Sequence, residues 1–105
     1  MKGFDSTPIV CFLTTAELRE REATLLARFR SAVVEAEELQ DGFASRLVGE
    51  GKLIVLIAEL ILAERKCCPF LTFELVALGN KGPLIVRVTG PDGTKEFVRS
   101  VFMQL

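Results

Sequence analysis

Residues 52–89 read KLIVLIAELILAERKCCPFLTFELVALGNKGPLIVRVT, and this stretch decides the fold. Its first sixteen residues carry apolar side chains at helical spacing, and a strand of that length would be far longer than usual. We therefore predict a helix over residues 52–67, which Pro69 stops. The core-facing stripe of this helix is Leu53, Leu56, Ile57, Leu60 and Ile61.

Two predicted strands and a last helix follow. Residues 70–77 and 84–89 alternate between apolar and polar side chains, and residues 79–82, Gly-Asn-Lys-Gly, have the composition of a hairpin loop. Residues 90–93, Gly-Pro-Asp-Gly, form a turn, after which Asp92 or Thr94 caps a helix. The predicted apolar face of that helix is Phe97, Val98, Val101, Phe102 and Leu105.

The first half of the chain predicts three more elements. Residues 8–13 are apolar in both alternating sets, as in a strand covered on both faces. Thr14 or Thr15 then caps a long helix that ends at Asp41-Gly42, and residues 43–48 form a further strand. The apolar stripe of the long helix is Leu18, Leu25, Phe29, Val33 and Ala36.

The predicted element order is β-α-β-α-β-β-α within one domain over residues 1–105. It indicates the α+β class, in two layers, with helices packed on a small and mostly antiparallel sheet. The 13 basic and 14 acidic residues nearly balance, so nothing in the charge predicts a nucleic-acid or anionic-membrane partner. The chain has no His, which excludes a His triad and a His-ligated metal.

The number of cysteines limits the possible redox chemistry. The chain has three, namely Cys11, Cys67 and Cys68. Three is an odd number, so they cannot form a closed disulfide framework within one chain, nor a Cys₄ zinc site. The N-terminal residues do not have the apolar core of a signal peptide, and no apolar run is long enough for a membrane span. We expect a cytoplasmic protein with reduced thiols.

The segment Glu64-Arg65-Lys66-Cys67-Cys68-Pro69-Phe70 is the most unusual part of the chain. On a helix, Glu64 lies three and four residues before the two cysteines, so the three side chains can share a face. The apolar stripe also leads to Glu64, and an unpaired buried carboxylate is costly. We expect Glu64 to be at least half buried and bound to a backbone amide or an Arg, with a raised pKa if it is uncompensated.

Together these residues favour a site for a soft metal or metalloid ion, with Cys11, Cys67, Cys68 and Glu64 as ligands. Three thiolates suit Hg(II), As(III) or Cu(I) better than zinc, and their sulfurs should lie within roughly 4 Å of each other. The alternative is a structural or interaction domain, because free Cys is among the most buried residue types. Cys11 alternates with Ile9 and Leu13, as a core cysteine would.

A thiol redox enzyme is the third and weakest interpretation. A disulfide between adjacent residues closes a strained ring, and Cys67-Cys68 lacks the two-residue spacer of thioredoxin-like motifs. The negative C-terminal end of a helix also disfavours a thiolate, while Arg65 and Lys66 favour one. The sequence therefore gives no clear sign of an activated thiol, and it favours a protein that is not an enzyme.

The chain resembles a group of small uncharacterised bacterial proteins. The resemblance rests on Pro8 and Cys11, Leu13-Thr14, the motif over residues 64–71 with Phe73, and Gly90-Pro91-x-Gly93. It implies that Cys11, Glu64, Cys67 and Cys68 act as a set, and it supplies no mechanism.

We also expect a homodimer. The helix over residues 52–67 has apolar residues outside its core stripe, namely Ile54, Val55 and Leu62, with Ile61 at the margin. Monomers rarely leave large apolar patches in water, and a two-fold dimer is the commonest way to cover one. The alternative is that the last helix covers this surface within one chain.

Overall fold

The computed structural model describes residues 16–49 and 51–103. They form an antiparallel four-stranded sheet with three helices, so the predicted α+β class is confirmed, and the element order agrees roughly. The predicted strand over residues 8–13, its Cys11 and the caps Thr14 and Thr15 lie outside the described residues. The elements are α1 Ala16–Ala32, β1 Val33–Leu39, β2 Gly42–Leu47, α2 Lys52–Cys67, β3 Thr72–Ala77, β4 Leu84–Thr89 and α3 Thr94–Val98, which a π-helical turn, Arg99–Met103, continues.

Two hairpins build the sheet. The strand order is β1-β2-β4-β3, and every neighbouring pair is antiparallel. The second strands of the two hairpins, β2 and β4, pair with each other at the centre. Their side chains alternate between one buried face and one more exposed face, so the helices and the core lie on one side of the sheet. The result is the predicted two-layer arrangement.

About the last third of the predicted first helix is wrong, because α1 ends at Ala32 and residues 33–39 form β1. Val33 and Val34 are β-branched and disfavour a helix, and Leu39 pairs with Gly42 across a two-residue loop. Asp41-Gly42 therefore closes a hairpin and does not end a helix. Most of β1 is exposed, and its glutamates protect the sheet edge from pairing with another chain.

The second half of the chain agrees closely with the sequence. Helix α2 and strand β4 have their predicted bounds, while β3 begins at Thr72 and β2 is shifted by one residue. Asn80 and Lys81 in the predicted hairpin loop have φ of 57° and 55°. Positive φ at both central residues is the geometry of the type I′ turn that suits the twist of a hairpin.

The last helix begins differently from the prediction. Its N-cap residue is Gly93, with φ of 97°, and no side chain caps it, so neither Asp92 nor Thr94 has that role. Val98 and Phe102 are buried as predicted, and Phe97 and Val101 pack against the core.

Aromatic contacts join the last helix to the other elements. The Phe102 ring makes edge-on contacts with Phe29 of α1 and Phe73 of β3, at centroid distances of 5.9 and 6.2 Å. The guanidinium of Arg30 donates to the carbonyl oxygen of Val101 over 2.8 Å. These contacts fix α1 against the sheet, with its neighbour α2 alongside. Among the helices that the structure describes, none has both the length and the apolar character that a membrane crossing requires.

Candidate metal centre

The C-terminal end of α2 carries the candidate site. The buried residues of this helix are Leu53, Ile57, Leu60, Glu64 and Cys67, so the apolar stripe does lead to Glu64. Cys67 is the last helical residue, and the backbone N–H of its neighbour Cys68 donates to the carbonyl oxygen of Glu64 over 2.6 Å. The chain then leaves the helix before Pro69, and both cysteine side chains stay inside.

A second carboxyl group approaches from α1. Four residues each contribute one potential ligand atom, and these atoms all lie within 4.8 Å of one another. The residues are Glu22, Glu64, Cys67 and Cys68. We call these four residues the Cys/Glu cluster. The two sulfurs are 3.1 Å apart, and the Cys67 Sγ lies 3.5 Å from Oε2 of Glu22. The predicted proximity of Cys11 to these two sulfurs stays a prediction, because Cys11 lies outside the described residues.

Sequence reasoning missed Glu22, although a signal for it was present. The apolar stripe of α1 runs from Leu18 to Leu25 with a gap of seven residues. Glu22 occupies the middle of that gap, at helical spacing from both leucines. A charged residue at a core-facing position is the same signal that singled out Glu64.

Glu64 is fully buried, with 0% of its surface exposed. Among the described residues, neither of its carboxyl oxygens makes a hydrogen bond of ordinary geometry, so the expected backbone amide or Arg was not found there. Its polar neighbours are the Glu22 carboxyl and the Cys68 thiol. Burial, followed by the neighbouring Glu22 carboxyl, raises the pKa of Glu64 to about 9. The predicted rise in pKa agrees with this, and Glu64 is protonated at neutral pH.

The Cys68 thiol is not activated. Burial is the main cause that raises its pKa, and the neighbouring Glu64 carboxyl adds to the effect. The two basic neighbours, Arg65 and Lys66, have exposed side chains. A buried thiol with a raised pKa is a poor nucleophile at neutral pH, which weakens the redox-enzyme interpretation.

The donor atoms of the cluster suit a metal ion chemically. Thiolate sulfur binds soft ions, and carboxylate oxygen binds harder ones, so a mixed set suits an ion that accepts both. Within the described part of the chain, no ion pair involves Glu22 or Glu64. Glu22 is only partly buried, so the cluster reaches the surface on its side.

Comparison of the chain with protein-family models, with curated proteins and with solved structures found no match. The function therefore has to follow from the chemistry of the Cys/Glu cluster.

Proposed function

We propose that the reduced protein binds one soft metal or metalloid ion at the Cys/Glu cluster. The ligands are the sulfurs of Cys67 and Cys68 and a carboxylate oxygen of Glu64, with Cys11 as a third sulfur. The observation that carries the proposal is the convergence of four ligand atoms within 4.8 Å, three of them from fully buried residues. Buried polar groups are normally hydrogen-bonded, and Glu64 has no such partner among the described residues.

A bound ion accounts for the unfavourable burial of these groups. An uncompensated acid group in the interior costs free energy, whether it stays charged or takes up a proton. Coordination supplies the missing positive charge and deprotonates the thiols outright. Ion binding therefore compensates for the burial of Glu64 and Cys68 together.

In the structure the Cys67 sulfur is engaged in a disulfide, which differs from the expected reduced thiols. The proposal therefore concerns the reduced protein, because a disulfide sulfur is not a thiolate ligand. Cys67 and Cys68 also make further interactions in the structure. An incoming ion must displace them, and its bonds to sulfur must be stronger than the contacts they replace. A cytoplasmic location, where glutathione keeps thiols reduced, fits this requirement.

A structural domain with core cysteines is the second candidate. Cys67 and Cys68 belong to the same contiguous cluster of buried residues as Leu60, Phe70 and Val98. On this account the two sulfurs only fill space, and no ion has a preference for the folded chain.

Native mass spectrometry separates the two candidates. The reduced chain is mixed with one equivalent of Hg(II), or of arsenite, in excess glutathione. We expect one ion per folded chain, no retention by the urea-unfolded chain, and loss of retention in Cys67→Ser and Cys68→Ser. Cys11→Ser should weaken retention as well. Equal retention by the folded and unfolded chains, or none by either, would overturn the proposal. Circular dichroism of each variant confirms that it is folded.

We also propose a homodimer formed through α2. Val55 and Leu62 lie seven residues apart on this helix and are 59% and 61% exposed, and Ile54 is 41% exposed. Ile54 also lines a groove of about 520 Å³ together with Val48 and Leu78. A second copy of the chain covers such a surface best when the same helix packs on itself about a two-fold axis, with a total interface above roughly 1,000 Å².

Sedimentation equilibrium at micromolar concentration tests the dimer. We expect the mass of two chains for the natural sequence and of one chain for Leu62→Glu. The matched control, Lys52→Glu on the same helix, should remain dimeric. The mass of one chain for the natural sequence would refute the proposal.

A further inference from the structure

We infer that the ion held by the Cys/Glu cluster is divalent, of the zinc and cadmium class, and that Glu22 is one of its ligands. This inference rests on the proposed function and names the kind of ion. Two observations support the inference. Glu22 adds a ligand that the sequence did not reveal, and the donor atoms include both sulfur and oxygen.

The spacing of the donor atoms suits a tetrahedral ion. With bonds of about 2.3 Å to sulfur and about 2.1 Å to oxygen, the ligand atoms of a tetrahedral site lie roughly 3.6 Å apart. The four atoms of the cluster lie within 4.8 Å of one another, and the two sulfurs within 3.1 Å. Once the Cys67 disulfide is reduced, small side-chain rotations bring all four atoms to bonding distance, and α1 and α2 need not separate.

The donor types select the ion. As(III) and Cu(I) bind thiolates, and carboxylate oxygens add little to their affinity. Zinc accepts thiolate and carboxylate ligands in one site, and cadmium shares its charge and its affinity for thiolates. A site that directs two carboxyl groups at the same point as two sulfurs therefore favours the divalent ions. Three thiolates alone suit softer ions better than zinc, and it is the second carboxyl group, that of Glu22, which shifts the preference towards the divalent ions.

The charge of the site points the same way. When all four groups of the reduced chain are deprotonated by the ion, two thiolates and two carboxylates bring four negative charges to one point. No described ion pair neutralises either glutamate. A divalent ion removes twice as much of this charge as Cu(I) does. Since the penalty for buried charge is large, a divalent ion gains more at this position than Cu(I) does.

Paired affinities test the inference. Zn²⁺ and Cd²⁺ affinities of the reduced chain are measured by competition with a chromophoric chelator, for the natural sequence and for Glu22→Gln and Glu64→Gln. We expect each substitution to lower the affinity for both ions by about tenfold or more. Even the loss of a residue that only orients a ligand lowers metal affinity by this much. The affinity for Hg(II) should change by less than about threefold, because two thiolates suffice to bind this ion. The control is Glu20→Gln, an exposed neighbour on α1.

The outcomes distinguish this inference from the proposed function. One outcome is that the cysteines bind Hg(II), while Glu22→Gln lowers the Zn²⁺ and Cd²⁺ affinities no more than Glu20→Gln does. In that case the inference is wrong and the proposed function stands. If no ion prefers the folded chain, the proposed function fails, and the inference fails with it. Co²⁺ gives an independent readout, because a tetrahedral site with thiolates absorbs strongly and the absorption should weaken in both Gln variants.

Discussion

Glu22 of α1 and Glu64 of α2 direct their carboxyl groups at the same point, with ligand oxygens no more than 4.8 Å apart and two cysteine sulfurs beside them. Two acids on facing helices repel each other when both are charged. Burial and this neighbour together raise the pKa of Glu64 to about 9. The relationship is unfavourable for stability in the ion-free chain, and it becomes favourable when a cation lies between the two groups.

The first prediction concerns stability as a function of pH. The pKa of Glu64 is raised in the folded chain from an ordinary 4.5 to about 9, so between these values the folded chain holds a proton that the unfolded chain has lost. The free energy of unfolding of the ion-free chain should therefore fall as pH rises through this window, by up to about 1.4 kcal/mol per pH unit. Below pH 4.5 this contribution is constant.

Urea unfolding at pH 5 and pH 8 checks this prediction. Glu64→Gln cannot ionise, so its loss of stability between the two pH values should be markedly smaller than that of the natural sequence. Glu20→Gln, which is exposed, should follow the natural sequence. Parallel pH dependence in all three proteins would show that Glu64 does not titrate as described.

The second prediction concerns Gly42, at the start of β2. A Cβ on this residue would lie 1.9 Å from the carbonyl oxygen of Val88 in β4, and this backbone atom cannot move without disturbing the sheet. Gly42→Ala should therefore destabilise the protein by about 1–3 kcal/mol or more, because over-packing has that cost. At Gly51 a Cβ meets nothing within 4 Å, and Gly51→Ala should be neutral or slightly stabilising. Thermal unfolding of the two variants gives the comparison, and similar melting temperatures would contradict it.

The third prediction concerns Phe29, which is 1% exposed and contacts Phe102. Phe29→Ala leaves a cavity between α1 and the last helix and should cost about 3–5 kcal/mol. Val34→Ala removes a side chain that is 56% exposed and lies outside the proposed dimer surface, and it should change the free energy of unfolding by less than about 0.5 kcal/mol. Urea titration measures both, and a small effect at Phe29 would mean that the last helix does not pack as described.

The fourth prediction concerns the reactivity of Cys68. Because burial raises the pKa of its thiol, alkylation by iodoacetamide at pH 8 should be at least about a hundredfold slower in the folded chain than in urea. Peptide mapping by mass spectrometry identifies the residue that reacts. Fast alkylation of folded Cys68 would favour the thiol redox enzyme, which the structure otherwise weakens.

The sequence predicts those helices and strands in which apolar side chains recur at one clear spacing, either helical or alternating. Helix α2 and strand β4 have their predicted bounds, because the helical stripe and the alternation are each uninterrupted. The boundary between α1 and β1 could not be found in this way. Val33 and Ala36 continue the helical stripe, and it is pairing with β2 that makes the segment a strand. Pairing between segments is a tertiary effect that local periodicity does not report.

The site was predictable in part for the same reason. Glu64, Cys67 and Cys68 are close in sequence, so one helix phase places them together. Glu22 comes from another helix, and only the packing of α1 against α2 brings it to the cysteines. An ion pair of 2.7 Å between Arg21 and Glu59 joins the same two helices. Its place in the gap of the α1 stripe indicates a core-facing position, but it does not indicate that Cys67 is a neighbour.

The most direct test of the central claim is X-ray absorption spectroscopy of the reduced chain loaded with one equivalent of Zn²⁺. The Cys/Glu cluster predicts a first shell with at least two sulfurs at about 2.3 Å and oxygens at about 2.0–2.2 Å. The Cys67→Ser, Cys68→Ser double variant should lose two sulfurs from this shell. A first shell of oxygen or nitrogen alone in the natural sequence would place the ion elsewhere on the protein and contradict the account.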